Sequence, residues 1–279
     1  MTRIRIMQGR LLPPMEGRFQ SFPRGRWREE IASSREAGLD GIEWIYDTFG
    51  EGHNPIETAE GRQLLMRLCA DHHVIVDSVC ADYFLDKPLL RAHGDDRDKL
   101  EHRLHELVTQ CGSLRIRYIV LPFVDASRIE SDADAAEVAS ILLRVIPMAE
   151  QSNVELHLET SLSPRRFAAL LAQVDHPLIR VNYDSGNSAS LGYLPAEEFD
   201  CFGGRVGSVH IKDRVKGGGT VPLGSGDADF AGLFACLRAT GYQGDYVLQV
   251  ARDRDGNELQ WARANAAWLR DQFAKHQLG

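Results

Sequence analysis

Four side chains able to hold a metal close four consecutive strand-like runs of this sequence. Glu159 ends VELHLE, Asp184 ends IRVNYD, His210 lies near the end of VGSVHIK, and Gln249 lies within YVLQVA. Two carboxylates, an imidazole and an amide oxygen make a mixed oxygen and nitrogen set. Such a set suits one divalent ion, manganese first and magnesium, zinc or cobalt as alternatives, better than an ion that seeks thiolates. Any one of the four alone reads as an ordinary polar strand end. Together, on adjacent strands at one face, they point to a metal with positions left open for substrate.

The stretch after the seventh run, HIKDRVKGGGTVPLGSGDADF, sets Lys212, Arg214 and Lys216 beside Gly217, Gly218 and Gly219. Basic side chains next to a glycine turn can hold a phosphate or carboxylate, because glycine lets backbone N–H groups approach an anion. Arg214 and Lys216 are therefore expected to neutralise a substrate anion; the alternative is a solvated, flexible loop. Asp213 either orients His210 or pairs with a lysine. Arg10, Glu43, Trp44, Asp47 and Asp82, near the ends of the first three runs, are placed around the substrate, with Trp44 as an apolar wall. The adjacent His72 and His73 read as a solvated turn.

Positioning these groups requires a scaffold, and periodicity supplies one. Apolar runs of strand length recur at 4–8, 41–46, 74–80, 117–124, 154–159, 179–184, 206–212 and 246–251. Helical segments lie between and after them: Trp27 to Ala37, Ile56 to Asp71, Asp96 to Cys111, Ala133 to Gln151, Pro164 to Gln173, a short one near Pro195, Phe230 to Thr240, and Glu258 to Lys275. Gly38 suits a helix C-terminus, and Ser163 with Pro164 reads as a cap and first helical residue. Eight strands alternating with helices, several strands apolar on both faces, predict an α/β fold: a (β/α)₈ TIM barrel filling residues 1–279 as a single domain. A doubly wound sheet would normally carry a glycine-rich turn after its first strand, and MQGRLLPP has one glycine and two prolines. In a barrel the strands' C-terminal ends carry the chemistry, and that is where the four candidate ligands fall.

The bulk composition narrows the function. A net charge of −8 argues against a nucleic-acid binder, which needs a basic face. MTRIRIMQGRLLPP lacks the apolar core of a signal peptide and no run is long enough to span a bilayer, so a cytoplasmic protein without a membrane partner is expected. Five scattered cysteines, with no C-x-x-C pair, suggest neither disulfides nor a cysteine zinc site. Homo-oligomerisation stays open.

LHLET around Glu159, VNYDSGN around Asp184, VHIKD around His210 and PLGSGDADFAGLFACLRATGYQGDYVL leading to Gln249 resemble the xylose isomerase-like TIM barrels. Within them the chain is similar to the sugar-phosphate isomerases and epimerases such as L-ribulose-5-phosphate 3-epimerase. The resemblance implies that Glu159, Asp184, His210 and Gln249 hold the metal and that Asn187 touches substrate. It also implies glutamates at the first and last of the four positions, acting as acid and base. Gln249 departs from that pattern: its carbonyl oxygen can face a cation, but an amide transfers no proton near neutrality. The expected activity is isomerisation or epimerisation of a small sugar or sugar phosphate through an enediolate, with Glu159 as base. Asp82 or another pocket residue is a candidate for the missing partner. A lyase acting on a keto-sugar, which needs only one base, and a non-catalytic sugar-binding relative remain as alternatives.

Overall fold

The computed structural model describes residues 2–278. Eight parallel strands, Ile4–Met7, Gly41–Ile45, Ser78–Cys80, Tyr118–Phe123, Glu155–Thr160, Ile179–Asp184, Val206–Ile211 and Tyr246–Leu248, close into a barrel in chain order. Closure joins the first strand to the last, with Ile4 opposite Tyr246 and Ile6 opposite Leu248. The (β/α)₈ expectation is met. Strand three is shorter than the 74–80 run, because residues 74–77 join the sheet only through an isolated bridge from Ile75 to Gly41 and a hydrogen bond from Arg117 N–H to Asp77 O. Gly41 is needed there, since the Ile75 carbonyl occupies the space a Cβ would fill.

The helices form the outer ring, and most expected boundaries hold within two residues. The second expected helix is in fact a short 3₁₀ turn, Pro55–Glu57, followed by Ala59–His72, because the Thr58 side chain caps a new start on Gly61 N–H. His73 ends that helix with a positive φ, and both His72 and His73 are exposed, as a turn requires. Two helices, Ser185–Leu191 and Pro195–Phe202, stand where one short segment near Pro195 was expected. Pro164 does open its helix, but Ser163 makes no capping hydrogen bond. Gly38, with φ +75°, follows the helix Trp27–Glu36. No helix among the described residues is long and apolar enough to cross a membrane.

The strand period of two sends alternate residues into the barrel. Residues facing the helices are apolar and buried, among them Ile4, Ile6, Ile42, Leu156, Leu158, Val181, Val209 and Leu248. The interior is unusually polar. At its N-terminal end Arg3, Arg5 and Arg117 pair with Asp77 and Asp245, the Arg5 side chain being fully buried. Above this floor Tyr118 stacks on His157 at 4.2 Å. His157 Nδ1 meets Ser208 Oγ at 2.8 Å, and Ser208 Oγ donates to Asn182 Oδ1 at 2.6 Å. These side chains form a hydrogen-bonded column beneath the C-terminal mouth. The linked part of this interior, from His157 through Ser208 to Asn182, gives the groups above it a fixed base.

Candidate active site

Strands five, six and seven deliver Glu159, Asp184 and His210 to one place. One ligand atom from each lies within 4.8 Å of the others, and all three side chains are buried. His210 Nδ1 stands 3.4 Å from Glu159 Oε2 and 3.9 Å from Asp184 Oδ2. The amide of Asn182 donates to Glu159 Oε2 at 2.7 Å and lies 3.1 Å from His210 Nδ1. Asn187 donates to Glu159 Oε1 at 2.6 Å, so both carboxylate oxygens are oriented by amides. Asp184 Oδ1 accepts from Asn187 N–H at 2.7 Å, which caps the helix that follows and leaves Oδ2 toward the site.

The other ring nitrogen of His210 is held by Glu43, Nε2 to Oε1 at 2.6 Å, with neither side chain exposed. Glu43, expected beside the substrate, instead lies beneath the imidazole, fully buried and outside the lining of the cleft. Burial lowers the His210 pKa, but the charges and hydrogen bonds of Glu43 and Glu159 outweigh it and push the imidazole up to about 10. For Glu43, burial favours the neutral acid, yet the imidazolium holds the carboxyl below its usual range. The donor set fits a divalent cation on this chemistry. A neutral His210 donating Nε2–H to Glu43 turns its Nδ1 lone pair toward two carboxylates, an arrangement that a cation between them stabilises.

Asp213 neither orients His210 nor pairs with a lysine. Its buried carboxylate accepts from the backbone N–H of Gly224 at 2.8 Å, Gly226 at 2.9 Å and Ala228 at 3.1 Å. It therefore folds the glycine-rich loop, in which Asp213–Arg214 pairs antiparallel with Thr220–Val221. The glycine run makes the turn of this ribbon rather than an open anion cradle.

Gln249 lies one residue past the eighth strand, in the wall of the same cleft. Its Oε1 accepts from Lys212 Nζ at 3.1 Å, and its amide donates to Gln20 Oε1 at 3.2 Å. Lys212 Nζ also stands 3.4 Å from Asp184 Oδ2 and from Asn187 Oδ1. Its aliphatic chain crosses Gly186, where a Cβ would collide with it. The cleft has a volume of about 250 Å³ and is lined by Glu159, Asn187, Lys212, Arg214, Gln249 and Asp82, among others. Trp44, expected as an apolar wall, is instead fully buried and packs on Phe22 and Trp27.

A family model for the xylose isomerase-like TIM barrel matches residues 31–272. The chain belongs to that family. L-ribulose-5-phosphate 3-epimerase UlaE of Salmonella heidelberg is 23% identical over 264 residues, covering 91% of this chain and 93% of that enzyme. Among solved structures, a zinc-bound IOLI protein superposes with a TM-score of 0.77 at 14% identity, over 98% of this chain and 99% of its own. D-psicose 3-epimerase with D-tagatose from Clostridium cellulolyticum H10 gives a TM-score of 0.75 at 14% identity, over 96% and 98%. At such identities the structures share a fold with this family member.

Arg214 stands in the cleft with Nη1 on Asn187 Oδ1 at 2.9 Å and Nε and Nη2 on Gly218 O, which leaves N–H groups free for an anion. Lys216 does not join it. That residue is exposed, its chain lies over Gly192, and it is absent from the lining of the cleft. Arg10 is buried under the rim, where it binds Val250 O and Gln20, and Asp47 accepts from Phe22 and Gly50 N–H. Asp82 lines the cleft as expected. Asn182 escaped sequence reasoning, and Lys212 is read there only as a basic residue beside the glycine turn, not as the partner of Asp184 and Gln249. Asn182 and Lys212 sit two residues from Asp184 and His210, on the same strand face, and that spacing was the available signal.

Proposed function

We infer that this barrel is a divalent-metal-dependent isomerase or epimerase of a small sugar or sugar phosphate, working through an enediolate. The observation that carries this reading is the convergence of Glu159, Asp184 and His210 at one buried point, from which Glu159 reaches the wall of the polar cleft. The epimerase activities of the relatives named above support it.

Glu159, Asp184 and His210, with Gln249 as fourth donor, would hold the ion; manganese suits them first, with magnesium, zinc or cobalt as alternatives. Once bound, the ion acidifies the carbon beside the substrate carbonyl by stabilising negative charge on the substrate oxygens. The chain's own residues do the rest. Glu159, fixed by the Asn182 and Asn187 amides, takes the proton from that carbon. Asn187 in turn is held by Arg214, so the amide cannot rotate away from Glu159. Arg214 presents its remaining N–H groups to a substrate phosphate or hydroxyl.

Gln249 favours a second reading, elimination beta to the carbonyl, because one strong base is enough for that reaction. The test is proton–deuterium exchange by NMR on ketoses and ketose phosphates, with manganese-loaded protein in heavy water. Exchange beside the carbonyl supports enolising chemistry. New ultraviolet absorbance from a conjugated product would replace isomerisation with elimination. No exchange across the panel, with metal bound, would leave a sugar-binding protein.

A further inference from the structure

Inverting a carbon needs proton transfer at both of its faces, and Gln249 leaves the cleft without the second carboxylate that position would supply. Other carboxylates line it. Asp47 is spent on two backbone N–H groups, Asp86 is held by the Thr48 hydroxyl, and Asp125 is exposed to solvent. Asp82 differs from these. Its Oδ2 accepts from Gln20 Nε2 at 2.7 Å and its Oδ1 from Cys80 Sγ at 3.2 Å, so both partners are neutral. Gln20 Oε1 accepts from Gln249 Nε2 at 3.2 Å and from Arg10 Nη2 at 3.0 Å. A continuous chain of amides thus runs from position 249, where the carboxylate is absent, to Asp82, where one stands in the same cleft.

We propose that Asp82 is the second proton-transfer residue of this site, partnering Glu159 from another strand end in place of a carboxylate at position 249. The proposal rests on the enolising reading of the site. Glu159 as carboxylate removes the proton from one face of the carbon beside the carbonyl, and the C–H electron pair moves into an enediolate. Asp82 as carboxylic acid delivers its proton to the other face, and the enediolate returns to a ketone. The step leaves Glu159 protonated and Asp82 ionised; exchange with solvent, or the reverse reaction, resets both. Burial in the cleft pushes the Asp82 carboxyl up to about 6, which keeps acid and base forms both accessible near neutrality.

The experiment uses full-length, manganese-loaded protein in heavy water with each of two carbon-3 epimers, L-ribulose 5-phosphate and L-xylulose 5-phosphate. Deuterium entry at carbon 3 is followed by NMR. Asp82→Asn should slow exchange of one epimer about 10²–10⁴-fold, the usual worth of a general acid or base, while the other stays within a few-fold of wild type. Glu159→Gln should show the opposite asymmetry, and Asp82→Glu should recover part of the lost exchange. Equal losses for both epimers in Asp82→Asn, or exchange of both at wild-type rates, would overturn the role. A wild-type protein that exchanges neither epimer nor any other ketose would overturn the enolising function, and this proposal with it.

Discussion

Replacing Glu43 by glutamine should destabilise the metal-free protein, and the size of the effect should depend on pH in a set direction. The His210–Glu43 contact is 2.6 Å long between two side chains with no solvent exposure. Removing one partner of a buried ion pair typically costs about 3–5 kcal/mol, because the other charge is left uncompensated. The lower end applies here, since Glu159 remains 3.4 Å from the imidazole. At about 2–4 °C per kcal/mol for a chain of this size, the melting temperature should fall by roughly 6–12 °C. His210 is raised from 6.5 to about 10 in the folded state, so the stability it contributes is present in full below pH 6.5 and is lost as pH climbs through 10. The gap between wild type and Glu43→Gln, read by differential scanning fluorimetry in the presence of a chelator, should be widest near pH 6 and nearly closed by pH 10.5. A gap that is constant across that range, or absent at pH 6, would refute the idea that Glu43 holds a proton on His210.

Three further outcomes are expected. Asp213→Ala removes the acceptor of three backbone N–H groups, which should cost about 2–3 kcal/mol and raise hydrogen exchange of residues 214–228 by an order of magnitude or more, measured by mass spectrometry. Arg214→Ala should raise KM for ketose phosphates at least tenfold while Lys216→Ala changes it less than twofold; steady-state kinetics showing equal losses would return Lys216 to the cleft. Gln249→Glu adds a carboxylate beside Lys212, which also meets Asp184, and should tighten manganese binding about tenfold in a chelator competition titration; unchanged affinity would place position 249 outside the coordination sphere.

The barrel was legible because its strands are short, apolar and separated by helical periodicity, and residues that close strands fall at one end by topology alone. That same logic located Glu159, Asp184 and His210. It could not assign Glu43, because a carboxylate at a strand end reads alike whether it faces substrate or lies under an imidazole from strand seven. Asp213 was misread for a related reason: its partners are backbone N–H groups, which leave no trace in side-chain identity. Lys216 looked equivalent to Arg214, and only the pairing of Asp213–Arg214 with Thr220–Val221 sets one residue in the cleft and the other over Gly192. The Gln20 bridge was beyond sequence reading, since it joins the loop after strand one to residues just past strands three and eight, all distant in the chain.

Closing the sheet between Ile4 and Tyr246 has a consequence for how the chain matures during synthesis. The first strand leaves the ribosome early, yet its final neighbour and the Asp245 carboxylate that Arg5 requires arrive more than two hundred residues later. Until then strand one and the newest strand are both open edges, the kind of surface on which chains pair wrongly. The final strand removes both edges, brings the second carboxylate, Asp245, to the arginines that Asp77 already pairs, and carries Gln249 to the mouth. Nascent chains stalled before Asp245 should therefore depend on chaperones, whereas emergence of the eighth strand completes the barrel and the candidate site together.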